Sequence, residues 1–305
     1  MTWVGWRLQR TETLIVVGIL ALLSALLVPT GIQMADAYHQ DGLAACLSVN
    51  PGPTCGSELG DFRQHFQSLI DLSNWFTLVP GLIGVLLAAP FIFDLEHGTY
   101  RLAWTQSITR DRWLLGKLGS AAVAAALAAG ALILLFTWWR APSVHLDGRL
   151  DTGNYDSTGI VVIGYTLFAL ALAVALGAIW RRAAASLAVA FVGYFAARVF
   201  VDVSLRDHLV APLKATYKGT QPPSFLYNAH ILSLQGATHG HEILGGGIGP
   251  AQKFAAPGMN SAVFHVVYQP ESHFWPLQLT ETGIFVGFAA ILILFAVWWT
   301  RQRTP

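Results

Sequence analysis

The chain has 305 residues, of which 54% are hydrophobic and 11% charged, and its formal net charge is +1. A soluble globular domain carries roughly 25% charged residues. These proportions therefore exclude an ordinary water-soluble enzyme domain and leave an all-α, polytopic membrane protein with little soluble mass. So small a net charge makes no case for nucleic acid, and none is expected as a partner.

Residues 1–13 carry Trp3, Trp6, Arg7, Arg10 and Glu12, the aromatic and basic mix of a short helix lying at headgroup level. Leu14 to Met34 is a mostly apolar run of 21 residues, enough for one crossing of a hydrocarbon core roughly 30 Å thick. Ala35-x-Ala37 resembles a signal-peptidase site. The apolar run is longer than the roughly 7–15 residues of a signal-peptide core, so an uncleaved first span is expected. Residues 35–69 form a polar loop with both cysteines, Cys46 and Cys55, and the turn Asn50-Pro51-Gly52-Pro53. In an oxidising compartment the two thiols close a small disulfide loop; free thiols, or half of a zinc site, are the alternatives.

Span two is expected from about Ile70 to Phe93, with kinks at Pro80 and Pro90. Residues 94–117 then hold Arg101, Arg110, Arg112 and Lys117, too polar for lipid and too short for a domain. Short amphipathic helices are expected between Arg101 and Arg112. Glu96 and Asp111 are mixed with the bases, and Trp104 and Trp113 supply apolar anchors; such a surface suits a protein partner better than anionic lipid. Span three runs from about Leu115 to Trp139, and its small residues from Ala121 to Ala131 would let a neighbouring helix approach closely. A polar loop, Arg140 to Thr158, leads to span four, Gly159 to Trp180. Arg181-Arg182 turn the chain into span five, Ala183 to about Val203. Residues 204–280 contain no run long enough to cross. Span six, Thr282 to Trp299, follows, with Arg301 and Arg303 after it.

Six spans with the N-terminus inside place ten bases and four acids on inner segments, and eight bases and thirteen acids outside. That is +6 inside and −5 outside, which sums to the +1 of the whole chain. An excess of Lys and Arg on short inner loops sets the orientation, so both termini and residues 94–117 are expected in the cytoplasm of a multi-pass cell-membrane protein.

Arg198, Asp202 and Arg206 stand four apart at the outer end of span five. They are expected to line one helical face and pair, either as the outer mouth of a path between subunits or as an interfacial ladder with snorkelling stems. His239-Gly240-His241-Glu242 lacks the second histidine of a zinc-protease helix, and no metal site is expected. The only Gly-Lys pair, Gly116-Lys117, lacks the rest of a phosphate-binding loop, so any ATP is expected on another polypeptide.

Asp94-Leu-Glu96-His97-Gly98-Thr99, followed by Arg101-Leu-Ala-Trp104-Thr-Gln106-Ser107-Ile-Thr109-Arg110-x-Arg112-Trp113, resembles the cytoplasmic loop of type-2 ABC exporter permeases, in the branch common in actinobacteria. Trp6-Arg7 to Glu12, and Tyr268-Gln269-Pro270 to Phe274-Trp275-Pro276-Leu-Gln278, are similar to other stretches of that branch. The resemblance implies a single permease domain over residues 1–305. In it, 1–13 is an elbow helix, 35–69 an extracellular loop, 94–117 a coupling loop seated in a separate ATPase, and 204–280 an extracellular segment with short gating helices and a cap. Glu96, His97, Gly98, Thr99, Arg101, Trp104, Gln106, Arg110, Arg112 and Trp113 would be the coupling residues. The partners implied are two ABC ATPase subunits carrying ATP and Mg, and a second copy or a related permease. Two rival classes remain: a membrane metallohydrolase using outer histidines, and a non-transporting sensor or scaffold.

Overall fold

The computed structural model describes residues 2–40, 42–43, 55–99, 109–218, 226, 229–238, 241–245, 249–250 and 263–303. Among them, six stretches are helical, long and apolar enough to cross a membrane: Thr13–Gln40, Ser57–His97, Asp111–Trp139, Val161–Trp180, Ala183–Leu209 and Glu271–Gln302. The six expected spans are therefore present, and the chain is mostly helical.

Helix α1 (Thr2–Gln40) is continuous, so no break separates residues 1–13 from span one; the side chains of Trp6, Arg7, Arg10 and Glu12 lie outside the described set. Helix α2 (Cys55–Asn74) buries Phe62 and Phe66 and passes through one 3-10 turn, Trp75–Leu78, into α3 (Val79–His97). The kink expected at Pro80 is instead a helix start. Pro80 sits in the first turn of α3, where its missing N–H would have had no intrahelical acceptor. Pro90 does lie inside α3.

Helix α4 (Arg110–Trp139) begins at Thr109, whose hydroxyl accepts from the Arg112 N–H. The expected polar loop after it is two short helices, α5 (Ala141–Asp147) and α6 (Thr152–Thr158). They fold back against the bundle and bury Arg140, Asn154 and Asp156. Helix α7 (Val161–Trp180) is the axis of the fold, and most of its residues are buried. It packs against α3 and against α10 (Phe274–Arg303). The close approach of α3 and α7 runs through glycine: a Cβ on Gly84 would stand 2.3 Å from the Thr166 carbonyl oxygen, and one on Gly177 would stand 2.5 Å from Ile92. The Ala/Gly run of span three serves this purpose less fully. Ala121, Ala125, Ala128 and Ala129 are buried, but Gly119 and Gly130 face open space.

Helix α8 (Ala183–Phe200) continues through a π-helical turn, Val201–Leu205, into the one-turn α9 (Arg206–Leu209). Beyond it the expected helices give way to antiparallel strands: β1 (Leu213–Lys218), β2 (His230–Thr238), β3 (His241–Gly245), β4 (Gly249–Pro250) and β5 (Val263–Gln269). Their order is β1-β5-β2-β3, with β4 also on β2. The all-α expectation for residues 204–280 is thus corrected. Phe264, Val266 and Tyr268 alternate along β5 and face a small core with Ile231, Leu234 and Leu226, the period-two pattern of a half-buried strand. Ile231 and Leu234 are three apart and would face opposite sides of a regular strand; an irregularity between Ile231 and Ser233 shifts the register so that both point inward. The sheet meets the bundle at Gln269, which donates to the Val210 carbonyl at 2.8 Å.

Candidate functional site

Two polar layers lie at opposite ends of the bundle. At the loop end, Asp94 on α3 pairs with Lys117 on α4 and accepts from the Thr99 hydroxyl at 2.8 Å. Lys117 also donates to the Pro90 carbonyl at 3.1 Å and lies 5.6 Å from the centroid of the Trp113 ring, which packs on Phe91. Gly98 ends α3 at φ 72°, the left-handed region that glycine adopts without a Cβ penalty. Both feet of the 94–117 loop are thereby fastened to each other. Glu96 accepts from the Ala183 N–H at 2.9 Å, and Asp111 meets Arg301 at 2.7 Å.

At the sheet end, charged side chains converge from four helices and the π-helical turn. Arg198 on α8 donates to Asp156 on α6 at 2.6 Å and to the Tyr165 hydroxyl on α7 at 2.6 Å. Arg206 on α9 donates to Asp156 at 2.6 Å and through Nε to Glu281 on α10 at 3.1 Å, and it also pairs with Asp202. The Tyr155 hydroxyl donates to Glu281 at 3.0 Å. Arg198 lies over the Tyr165 ring at 3.9 Å and Arg206 over the Tyr155 ring at 4.3 Å. Glu281 is 0% exposed and Asp156 3%, so their charges are tolerable only because both arginines reach them. Burial alone would raise the Asp156 carboxyl, but Arg198 and Arg206 outweigh it and hold the group below the usual carboxylate range. Beside the cluster, Gln278 clasps the start of α7: it accepts from the Val161 N–H at 3.0 Å and donates to the Tyr155 carbonyl at 3.0 Å.

Two cavities flank this cluster. One, of about 370 Å³, lies between Asn74, Thr77, Asp151, Tyr194, Arg198 and Asp202. The other, of about 160 Å³, lies under the sheet between Tyr155, Asp202, Arg206, Asp207, His230 and Gln269. His230 Nδ1 is buried with no hydrogen-bond partner among the described residues. Burial depresses the His230 pKa below its ordinary 6.5, against the pull of Asp207 and Asp151. A base depressed in the folded state contributes stability at neutral pH, and that stability is lost as pH falls below its ordinary value. Lowering the pH from 7.5 to 5.5 is therefore expected to reduce the protection of amides in β2 and β5, read as exchange relative to the unfolded-chain rate at each pH, and His230→Asn to remove the part of that pH dependence that comes from this ring.

A family model described as ABC-2 membrane transporter related matches residues 17–206. The chain belongs to this family. No curated protein and no solved structure matches. The match runs from span one to the first residue of α9, so it includes the 94–117 loop and most of the ion cluster. With its six apolar helices, this ABC-2 family member is a multi-pass protein of the cell membrane, and it fits the transport component rather than the ATP-hydrolysing one. Permeases of this family normally work with an ATPase partner.

Of the residues singled out from the sequence, Arg101, Trp104 and Gln106 lie outside the described residues, as does the side chain of Arg110. Arg112 is exposed and Trp113 half-buried. His97 lies 3.0 Å from its own helix's Phe93 carbonyl. Cys55 is buried at the start of α2, and Cys46 lies outside the described residues, as do His239 and the side chains of His241 and Glu242. Arg198, Asp202 and Arg206 do come together, but not as a ladder. Asp202 pairs with Arg206, while Arg198 turns to Asp156 and approaches Glu281 at 3.5 Å, so the arginines face the bundle interior. Asp156, Tyr155, Tyr165 and Glu281 were not anticipated. Glu281 is the one acid next to the apolar run of span six, and that position was the available signal.

Proposed function

We propose that this chain is the permease subunit of an ATP-driven exporter of the plasma membrane, of the branch common in actinobacteria. Residues 94–117 and both termini face the cytoplasm, and the sheet lies outside. Two ATPase subunits bind ATP and Mg; this chain binds neither. A second permease copy, or a related permease, completes the transporter, and Cys46 pairs with Cys55 on the first outer loop. The cargo is a hydrophobic or amphipathic compound, in keeping with the aromatic and aliphatic spans.

The observation that carries this reading is the bracing of the loop's two feet by Lys117 and Asp94, within a family-matched region. A loop so tied passes a push from its partner to spans two and three together, which is what rocking of bundle halves requires. Glu96, His97, Gly98 and Thr99 form the foot, and Arg101, Trp104, Gln106, Arg110, Arg112 and Trp113 the face offered to the ATPase. Co-purification with an ATPase tests this. Arg101→Glu combined with Trp104→Ala is expected to abolish transport-linked ATP hydrolysis while expression is kept; unchanged hydrolysis would sink the assignment.

A further inference from the structure

Glu96 belongs to the motif that resembles a partner contact, yet its carboxylate is engaged within the chain. It accepts from the N–H of Ala183 at 2.9 Å, and Ala183 is the first residue of α8. The first four N–H groups of a helix have no intrahelical acceptor. Arg182, just before, provides no side-chain cap, so span two supplies it. A carboxylate there also meets the positive end of the helix dipole. At the other foot of the loop, Asp111 meets Arg301 on α10 at 2.7 Å. Helices α8 and α10 carry Arg198 and Glu281 at their far ends, and Arg206 follows on α9, one π-helical turn beyond α8. At a rise of 1.5 Å per residue, Arg198 lies about 22 Å from Ala183 and Glu281 about 30 Å from Arg301. Between Arg198 and Arg206 stands the π-helical turn Val201–Leu205, where the Arg206 N–H reaches back to the Val201 carbonyl. Such a widened turn is where a rigid helix changes pitch.

We propose that Glu96 is a positioning residue that fastens the foot of span two to the first turn of span five, so that displacement of residues 94–117 is handed along α8 to the π-turn and the ion cluster beyond it. The proposal relies on the exporter reading only for what moves the loop. Its test involves no ATPase, so the two can fail separately.

The test is hydrogen exchange of the full chain in lipid nanodiscs, with two variants that remove one bond from opposite ends. Glu96→Ala deletes the acceptor. Ala183→Pro deletes the donor at a helix position where proline is well tolerated, after a residue already extended at φ −129° and ψ 105°, as a pre-proline residue prefers. In both variants the amides of residues 200–209 are expected to exchange at least about threefold faster, while those of 161–180 stay at the wild-type rate. Glu96→Gln, which keeps an acceptor oxygen, is expected to restore wild-type exchange at 200–209. A merely local cap would move only residues 183–187. Faster exchange confined there, with 200–209 unchanged in either variant that folds, overturns the proposal.

Discussion

Arg206→Met is expected to destabilise the protein by about 3–5 kcal/mol, the usual penalty for breaking a buried ion pair from one side. Arg206 touches Asp156, Asp202 and Glu281. Its removal leaves Asp156 and Glu281 to Arg198 and takes away the ion pair of the partly exposed Asp202, while Glu281 is 0% exposed. Arg206→Lys is expected to fall in between, because an ammonium cannot span Asp156 and Glu281 with the planar fork that now does so. The variant carrying both Arg206→Met and Glu281→Met is expected to lose less than the sum of the two single losses, since each change removes the other's uncompensated charge. The partly exposed pair Arg63–Asp147, 3.1 Å apart, is the control: Arg63→Met is expected to cost under about 1 kcal/mol. Unfolding in mild detergent, followed for these variants and for Glu281→Met alone, checks the ranking and the coupling.

Gly84→Ala is expected to cost about 1–3 kcal/mol or more, the range for overpacking a close-packed site. The added Cβ would stand 2.3 Å from the Thr166 carbonyl oxygen and 2.9 Å from the Leu170 nitrogen. Both neighbours are backbone atoms of a buried helix and cannot swing aside, so α3 and α7 must separate. Because α3 leads directly into the 94–117 loop, the same change is expected to reduce transport by more than the loss of folded protein accounts for. Gly119→Ala, on the open face of span three where nothing lies within 4 Å, is expected to be neutral or to stabilise by up to about 1 kcal/mol through helix propensity. Thermal midpoints of the two variants, with vesicle uptake per folded molecule, check both statements.

Much of this architecture is legible in the sequence. Long apolar runs, sorted charge and an Arg-Arg turn each report local chemistry with a length scale, and six spans with their connecting polar segments follow from them. The ion cluster is only half legible. Arg198, Asp202 and Arg206 announce themselves by spacing, but their partners Asp156 and Glu281 come from a segment that reads as a solvated loop and from the edge of another span. Pairings across 42 and 75 residues leave no periodic trace. The sheet escapes for a related reason. The alternation along its strands is interrupted by the irregularity at Ile231–Ser233 and diluted by Gly-rich connections. Pro80 shows a third limit, since a proline inside an apolar run marks a kink or a helix start equally well until the preceding 3-10 turn is known. Glu96 shows a fourth. Its place in a recognisable motif suggests an outward contact, whereas its carboxylate is turned to the start of span five.

The most direct test of the central claim is photo-cross-linking from position 104 in native membranes, with a benzophenone amino acid in place of Trp104. A covalent adduct with an ATP-hydrolysing polypeptide, changed in yield by non-hydrolysable nucleotide, is the result the account predicts. A permease that still transports, yet gives no ATPase adduct from position 104 or any other position between 101 and 112, would contradict it.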